Sequence, residues 1–172
     1  MALNIDTHTF RIWVVTLSDR ASRGTYEDLS GPEAVRLLTF FFETRGWKAE
    51  FKTYVIPDDA QQLLFIAHGA IEEGIDLLVT SGGTGIGPRD ITPDTLLPLL
   101  DKQITGVMDF IRLKYGAEKP AALLSRAIAG IAGKTLVYTL PGSPKAVKEY
   151  LTEIIQGLEH TFYMLHGIDR HG

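Results

Sequence analysis

Residues 75–94 read IDLLVTSGGTGIGPRDITPD, and the order of features in that stretch decides the reading of the whole chain. Ile75 to Thr80 is a short apolar run rich in strand formers. Gly82, Gly83, Gly85 and Gly87 follow it as a loop, and glycines let N–H groups approach an anion with no Cβ in the way. Thr92-Pro93-Asp94 then opens a helix, with Thr92 expected as N-cap, Pro93 at the favoured first position and Asp94 against the positive end of the dipole. Strand, glycine loop and helix start make a phosphate the natural guest. Arg89, a fork for phosphate oxygens, stands beside Asp90, a hard oxygen ligand, a pairing suited to a phosphate carried with a divalent cation.

Two common phosphate loops are excluded by spelling. A P-loop needs Lys and then Ser or Thr after its last glycine, whereas Gly87 is followed by Pro88, Arg89 and Asp90. A dinucleotide fingerprint started at Gly83 would need glycine at Pro88, and one started at Gly85 would need it at Asp90.

Composition narrows the classes further. A chain of 172 residues with 45% apolar content fits one domain with a sizeable core. A net charge of −4 and a pI near 5.7 argue against a general nucleic-acid binder, so the basic contacts to any anion must be local. The absence of cysteine removes disulfides, thiolate metal sites and cysteine nucleophiles together, in keeping with a cytoplasmic setting. The first residues do not read as a signal peptide, and no apolar run is long enough for a membrane span.

Working outward, Arg11 to Leu17 reads as a strand buried on both faces, followed by a polar loop from Ser18 to Gly24. Ser30 and Glu33 spell a capping box for a helix carrying Ala34, Leu37, Leu38 and Phe41 to Gly46, which leaves Phe40 or Phe42 for a subunit contact. The second strand lies within Trp47 to Ile56. Either Asp58 or Asp59 could cap the next helix, which runs from Ala60 to Glu73 with Leu63, Leu64, Ala67 and Ile71 inward and His68 as a structural residue. Pro98 ends or kinks the helix begun at Thr92, and another helix spans Ile104 to Tyr115. Two short apolar pieces flank Ser125-Arg126, and a turn at Ala132-Gly133 leads into a strand from Thr135 to Leu140. There Pro141-Gly142-Ser143-Pro144-Lys145 repeats the order of strand, glycine turn and helix start. Ser143 caps a helix running to about His166 with Val147, Leu151, Ile154, Ile155 and Leu158 inward. Lys145 in a first turn opposes the dipole unless an anion lies nearby, which marks a second anion contact. His160, His166 and His171 have no ligand-like spacing with carboxylates.

This alternation predicts an α/β fold, a three-layer αβα domain with a mostly parallel central sheet. Residues 1–10 are expected as an N-terminal extension, 11–166 as the single domain and 167–172 as a tail. The loops at Ser18 to Gly24, Pro57 to Asp59, Ser81 to Asp90 and Pro141 to Lys145 then collect at the carboxyl edge of the sheet, where open α/β sheets bind ligands.

Thr80-Ser81-Gly82-Gly83-Thr84-Gly85, Arg89-Asp90 and Thr92-Pro93-Asp94 together resemble the signature of the molybdopterin-binding family of molybdenum cofactor biosynthesis, related to the G domain of gephyrin. The resemblance extends to Ser18-Asp19-Arg20-Ala21-Ser22, Ile56-Pro57-Asp58, Leu124-Ser125-Arg126 and Leu140 to Lys145, covering roughly Arg11 to His160. It implies transfer of AMP from ATP to the terminal phosphate of molybdopterin, with Mg2+. By position, Asp58 and Asp90 match the functional aspartates, and either could hold the metal. Gly82, Gly83, Thr84, Gly85 and Arg89 match the nucleotide side. Ser18, Asp19, Ser125, Arg126, Pro141, Gly142, Ser143 and Lys145 match positions lining the anionic pockets. A trimeric homo-oligomer and a downstream metal-insertion protein as partner are also implied. The alternatives are a carrier or scaffold that binds molybdopterin without turning it over, and an unrelated nucleotide hydrolase with the same loop.

Overall fold

Alternation along the first strand divides the molecule into two cores. The structure is a computed structural model that describes residues 5 and 7–168. In β1 (Thr9–Leu17), Phe10, Ile12 and Val14 enter one apolar cluster, and Trp13, Val15 and Leu17 enter another across the sheet. A strand buried on both faces belongs to the middle of a sheet, and β1 lies between β2 (Lys48–Ile56) and β3 (Leu77–Ser81), parallel to both. The six-stranded order is β2-β1-β3-β6-β5-β4, with β6 (Thr135–Leu140) parallel to β3.

Helices cover both faces, which gives the three layers expected. On one side α2 (Ser30–Glu43), α5 (Thr105–Gly116) and α6 (Pro144–Leu165) close over Phe10, Leu77, Val79 and Leu136. The rings of Phe10, Phe42, Trp47 and Phe162 meet there at centroid separations of 4.7 to 6.3 Å. Burial of each such ring is worth about 1.5–3 kcal/mol. On the other side α3 (Ala60–Glu72) and α4 (Thr92–Leu96) cover Trp13, Val15 and Val137 through Leu63, Ala67 and Leu96.

Several local expectations need correction. The far edge of the sheet is antiparallel: β4 (Lys102–Gln103) pairs with β5 (Ala129–Ala132), which forms a hairpin with β6. The segment AGIA lacks the β-branched density that marks a strand, and tertiary pairing overrides that weakness. The first strand also begins earlier, at Thr9, and Ile5 is buried, so part of the expected N-terminal extension packs with the domain. Phe42 lies in the core beside Phe41, leaving only Phe40 exposed among the three. On α3 the buried face is Leu63, Ile66, Ala67 and Ala70, while Leu64 is exposed and so is His68.

Three helix starts separate cleanly. Ser30 is not the cap of α2; Asp28 Oδ1 accepts from the Ser30 and Gly31 N–H groups at 3.1 and 3.0 Å, and Glu33 pairs with Arg36 instead of reaching back. At α3 the open choice falls to Asp59, which accepts from the Gln62 N–H at 2.9 Å and leaves Asp58 for other contacts. Ser143 caps α6 through the Ala146 N–H at 3.2 Å, as its sequence indicated.

The parallel half of the sheet reverses direction of travel at β1, with β2 placed on one side and β3 on the other. Such a switch point opens a crevice at the carboxyl ends of the flanking strands. The loops after β1 and β3 leave the sheet there.

Candidate active site

A cleft of about 940 Å³ occupies that crevice. It is walled by the loops after β1, β2, β3 and β6, and every residue matched by position to the aspartates, the nucleotide side and the anionic pockets lines it except Arg126.

The glycine loop is fixed to the sheet by backbone contacts. Gly82 has φ of 107°, and a Cβ there would collide with the Leu17 carbonyl, so the first turn after β3 is open only to glycine. Thr92, fully buried, donates its hydroxyl to the Gly82 carbonyl at 2.8 Å, while its N–H donates to the Gly83 carbonyl at 3.0 Å. Thr92 therefore anchors the loop and is not the N-cap; α4 follows Ile91, and Pro93 sits in its first turn. With five residues, α4 has little dipole to offer an anion, contrary to the sequence reading. Asp90 folds back over the loop, its Oδ2 accepting from the Gly87 N–H at 2.7 Å. Gly85 is needed because a Cβ there would stand 2.7 Å from the same oxygen.

Asp19, at the start of the single turn α1 (Asp19–Ser22), joins Asp58 and Arg89 across the cleft floor. Ser18 caps that turn through the Ala21 N–H at 3.2 Å. Arg89 donates to both Asp19 oxygens, at 2.8 and 2.7 Å, and this hydrogen bond holds the Asp19 carboxyl below its usual range. Burial pushes the Asp58 carboxyl up, and the negative charges of Asp19 and Asp90 push it further, against the Asp19 N–H and Arg89. The Arg89 side chain is 63% exposed. An exposed ion pair contributes little, so phosphate oxygens can compete for the guanidinium at small cost.

The opposite wall is basic. Ser143 and Lys145 at the start of the 22-residue α6 face Lys119, which sequence reasoning missed. The neighbouring Lys119 lowers the Lys145 ammonium pKa, while hydrogen bonding with Lys145 and then Glu149 raises that of Lys119. Two cations beside a long helix N-terminus form an anion-seeking surface. Nothing in the local sequence signals Lys119, because it lies in the connection after α5 and reaches the cleft only by folding. Arg20, from the Ser18 to Ser22 motif, lines the cleft 5.0 Å from the Tyr26 ring centroid, and so does Tyr150, which was not read from sequence.

Arg126 is engaged elsewhere: its nitrogens donate to the Gly85 and Asp90 carbonyls and to Asp94, which corrects its placement among the pocket-lining residues. Asp94, expected only as a dipole partner, is bound by it. His166 lies at the other end of the sheet, its Nε2 3.7 Å from Asp76 Oδ1, which also meets His8 Nε2 at 2.9 Å, so a carboxylate remote in sequence does reach it. His171 lies outside the described residues.

Residues 13–160 match the family described as a probable molybdopterin binding domain. The chain is 37% identical over 158 residues to a molybdenum cofactor biosynthesis bifunctional protein of Chlorobaculum tepidum, covering 91% of this chain and 49% of that one. It thus spans about half the length of that relative. It is 38% identical over 160 residues to the molybdopterin adenylyltransferase of Pyrococcus furiosus, covering 88% and 91% of the two chains. Among solved structures, a molybdopterin biosynthesis protein from Mycobacterium abscessus superposes with a TM-score of 0.82 at 33% identity, covering 92% of this chain and 98% of that one.

Proposed function

Because the chain belongs to the molybdopterin-binding domain family, we propose that it transfers AMP from ATP to the terminal phosphate of molybdopterin, giving adenylyl-molybdopterin and pyrophosphate. The observation that carries this reading is the convergence of a glycine loop, an aspartate set and a dibasic wall in one cleft. Those are the parts needed to bring two polyanions together.

The reaction asks little covalent chemistry of the protein. An oxygen of the pterin phosphate, already anionic at neutral pH, bonds to the α-phosphorus of ATP. The bond from that phosphorus to the bridging oxygen of the β-phosphate breaks, and pyrophosphate leaves with the electron pair. Alignment and charge screening are the protein's tasks. In this reading Gly82, Gly83, Thr84, Gly85 and Arg89 take the nucleotide phosphates, while Lys119, Lys145, Ser143 and Ser125 take the pterin phosphate. Asp19 holds Arg89 until phosphate oxygens replace it.

Mg2+ belongs to the same proposal. Among the described residues no three His, Asp or Glu side chains form a metal site by themselves. Mg2+ is ordinarily held by one or two carboxylates with substrate phosphates completing the shell, and Asp58 and Asp90 suit that donor set. Burial chiefly, and after it the charges of Asp19 and Asp90, disfavour the ionised Asp58 carboxyl, and a bound cation would offset both. When bound, the ion would draw charge from the reacting phosphates.

The test is anaerobic incubation with molybdopterin, Mg2+ and ATP labelled at the α-phosphate. Label in the pterin with matching pyrophosphate, lost in Asp58→Asn and Asp90→Asn, establishes the transfer; tight pterin binding without label makes the protein a carrier.

The cytoplasmic setting, a homotrimer and contact with a metal-insertion protein complete the reading. No described helix is long and apolar enough to cross a membrane, and Phe40 and Phe65, 66% and 82% exposed, offer apolar surface for association. Light scattering on the purified protein checks the oligomer.

A further inference from the structure

We propose that Arg126 is a positioning residue, which together with Asp94 clasps the glycine loop at both ends and sets where Asp90 stands in the cleft. The inference rests on the adenylylation reading for its effect on catalysis.

The clasp is complete in the structure. The Arg126 N–H donates to the Thr84 carbonyl at 2.7 Å, and its Nε donates to the Gly85 carbonyl at 2.8 Å. One terminal nitrogen donates to the Asp90 carbonyl at 2.7 Å. The other donates to both oxygens of Asp94, at 2.8 and 2.9 Å, and so ties the guanidinium to α4. Thr84, Gly85 and Asp90 bracket the exposed part of the loop, so one side chain fixes its entry and its exit. Within the bracket, Asp90 and Gly87 close a turn on themselves through paired N–H contacts of 3.0 and 2.7 Å. That turn carries the Asp90 carboxylate, and Arg126 grips it through the Thr84, Gly85 and Asp90 carbonyls, apart from the Thr92 anchor on Gly82 and Gly83.

A planar guanidinium with donors in a fixed fork can serve three acceptors at set angles, whereas a lysine ammonium reaches one of them. Every nitrogen of Arg126 already donates to the protein, and the residue lies outside the cleft lining, which favours a part in holding the loop over one in gripping substrate. Displacement of a catalytic group by about 1 Å can cost on the order of 100-fold in rate.

The experiment compares Arg126→Lys, Asp94→Asn and the double variant with wild type by two readouts. In steady-state adenylylation, Arg126→Lys is expected to lower kcat about 10- to 100-fold with KM for ATP within about threefold. Asp94→Asn should act in the same direction and less strongly, and the double variant should be no worse than Arg126→Lys, because both changes undo one clasp. In amide hydrogen exchange, residues 86–91 should exchange at least about tenfold faster in Arg126→Lys, with the core strands unchanged. A KM increase at constant kcat would assign Arg126 to substrate binding and overturn the proposal. Unchanged exchange over 86–91 would overturn it too. If the wild type transfers no AMP, the activity reading fails separately, and the exchange data alone decide whether the clasp exists.

Discussion

Asp19 and Asp58 hold each other reciprocally: the Asp19 N–H donates to Asp58 Oδ2 at 3.3 Å, and the Asp58 N–H donates to Asp19 Oδ1 at 3.2 Å. The loops after β1 and β2 are thereby locked at a fixed offset, with the Asp58 carboxylate beside Gly83 and Asp19 left to hold Arg89.

Removing charge without removing shape tests the aspartates. Asp58→Asn and Asp90→Asn each keep an acceptor oxygen, so the loops should stay in place while turnover falls about 100-fold or more. Label transfer at saturating ATP measures this, with the melting temperature as control. Turnover at the wild-type level in both variants would falsify their assignment.

The same Asp58→Asn variant should be more stable than wild type at neutral pH. The folded carboxyl is raised above 3.8, so between that value and its folded pKa the native state binds more protons than the unfolded chain. Stability from this group therefore falls as pH rises through the window, and the ionised side chain is a burden above it. Thermal melts should show the variant ahead at pH 7 and the gap closing as pH drops below the ordinary aspartate range.

Gly85→Ala should damage the site through space alone. Its φ is not positive, but the added carbon would meet Asp90 Oδ2 at 2.7 Å and Oδ1 at 3.5 Å. Overpacking of this kind costs about 1–3 kcal/mol unless the neighbour moves, and here the neighbour is Asp90. A turnover loss larger than the stability loss explains is the expected result, read from kcat and urea melts on the same preparation.

Lys145 should respond to an anion. Its ammonium pKa is lowered by Lys119, so bound pyrophosphate, which favours the charged form, should raise it, and Lys119→Met should raise it without ligand. NMR titration of isotopically labelled lysine side chains follows both. Pyrophosphate affinity should fall about tenfold in Lys119→Met, and an unchanged affinity would remove that residue from the anion wall.

The fold was legible where periodicity and spacing are local. Double-sided burial of the Arg11 to Leu17 run, the Ser143 cap and the interruption at Pro98 all read directly from neighbouring residues. What stayed hidden was set by distant partners. Asp28 replaces Ser30 as the cap because it also accepts from the Thr16 hydroxyl at the end of β1, at 2.8 Å. Thr92 gives its hydroxyl to Gly82 in place of its own helix, and β5 is a strand because β6 lies beside it. In the site, only the resemblance sets Arg126 at an anionic pocket, since a lone Ser-Arg pair carries little by itself, and the carbonyls it serves are brought to it only by the closed loop.

The strand order has a consequence for how the protein comes into being. β3 stands between β1 and β6, yet β6 is made last among the strands, more than fifty residues after β3. Until Thr135–Leu140 emerges, a growing chain carries Leu77, Leu78 and Val79 on a bare edge, the kind of surface that recruits other chains. Asp58 and Asp90 exist by then, but the Lys145 wall does not. Competence to hold both substrates thus arrives in the same step that seals the sheet, so a truncated product is left sticky and inert together.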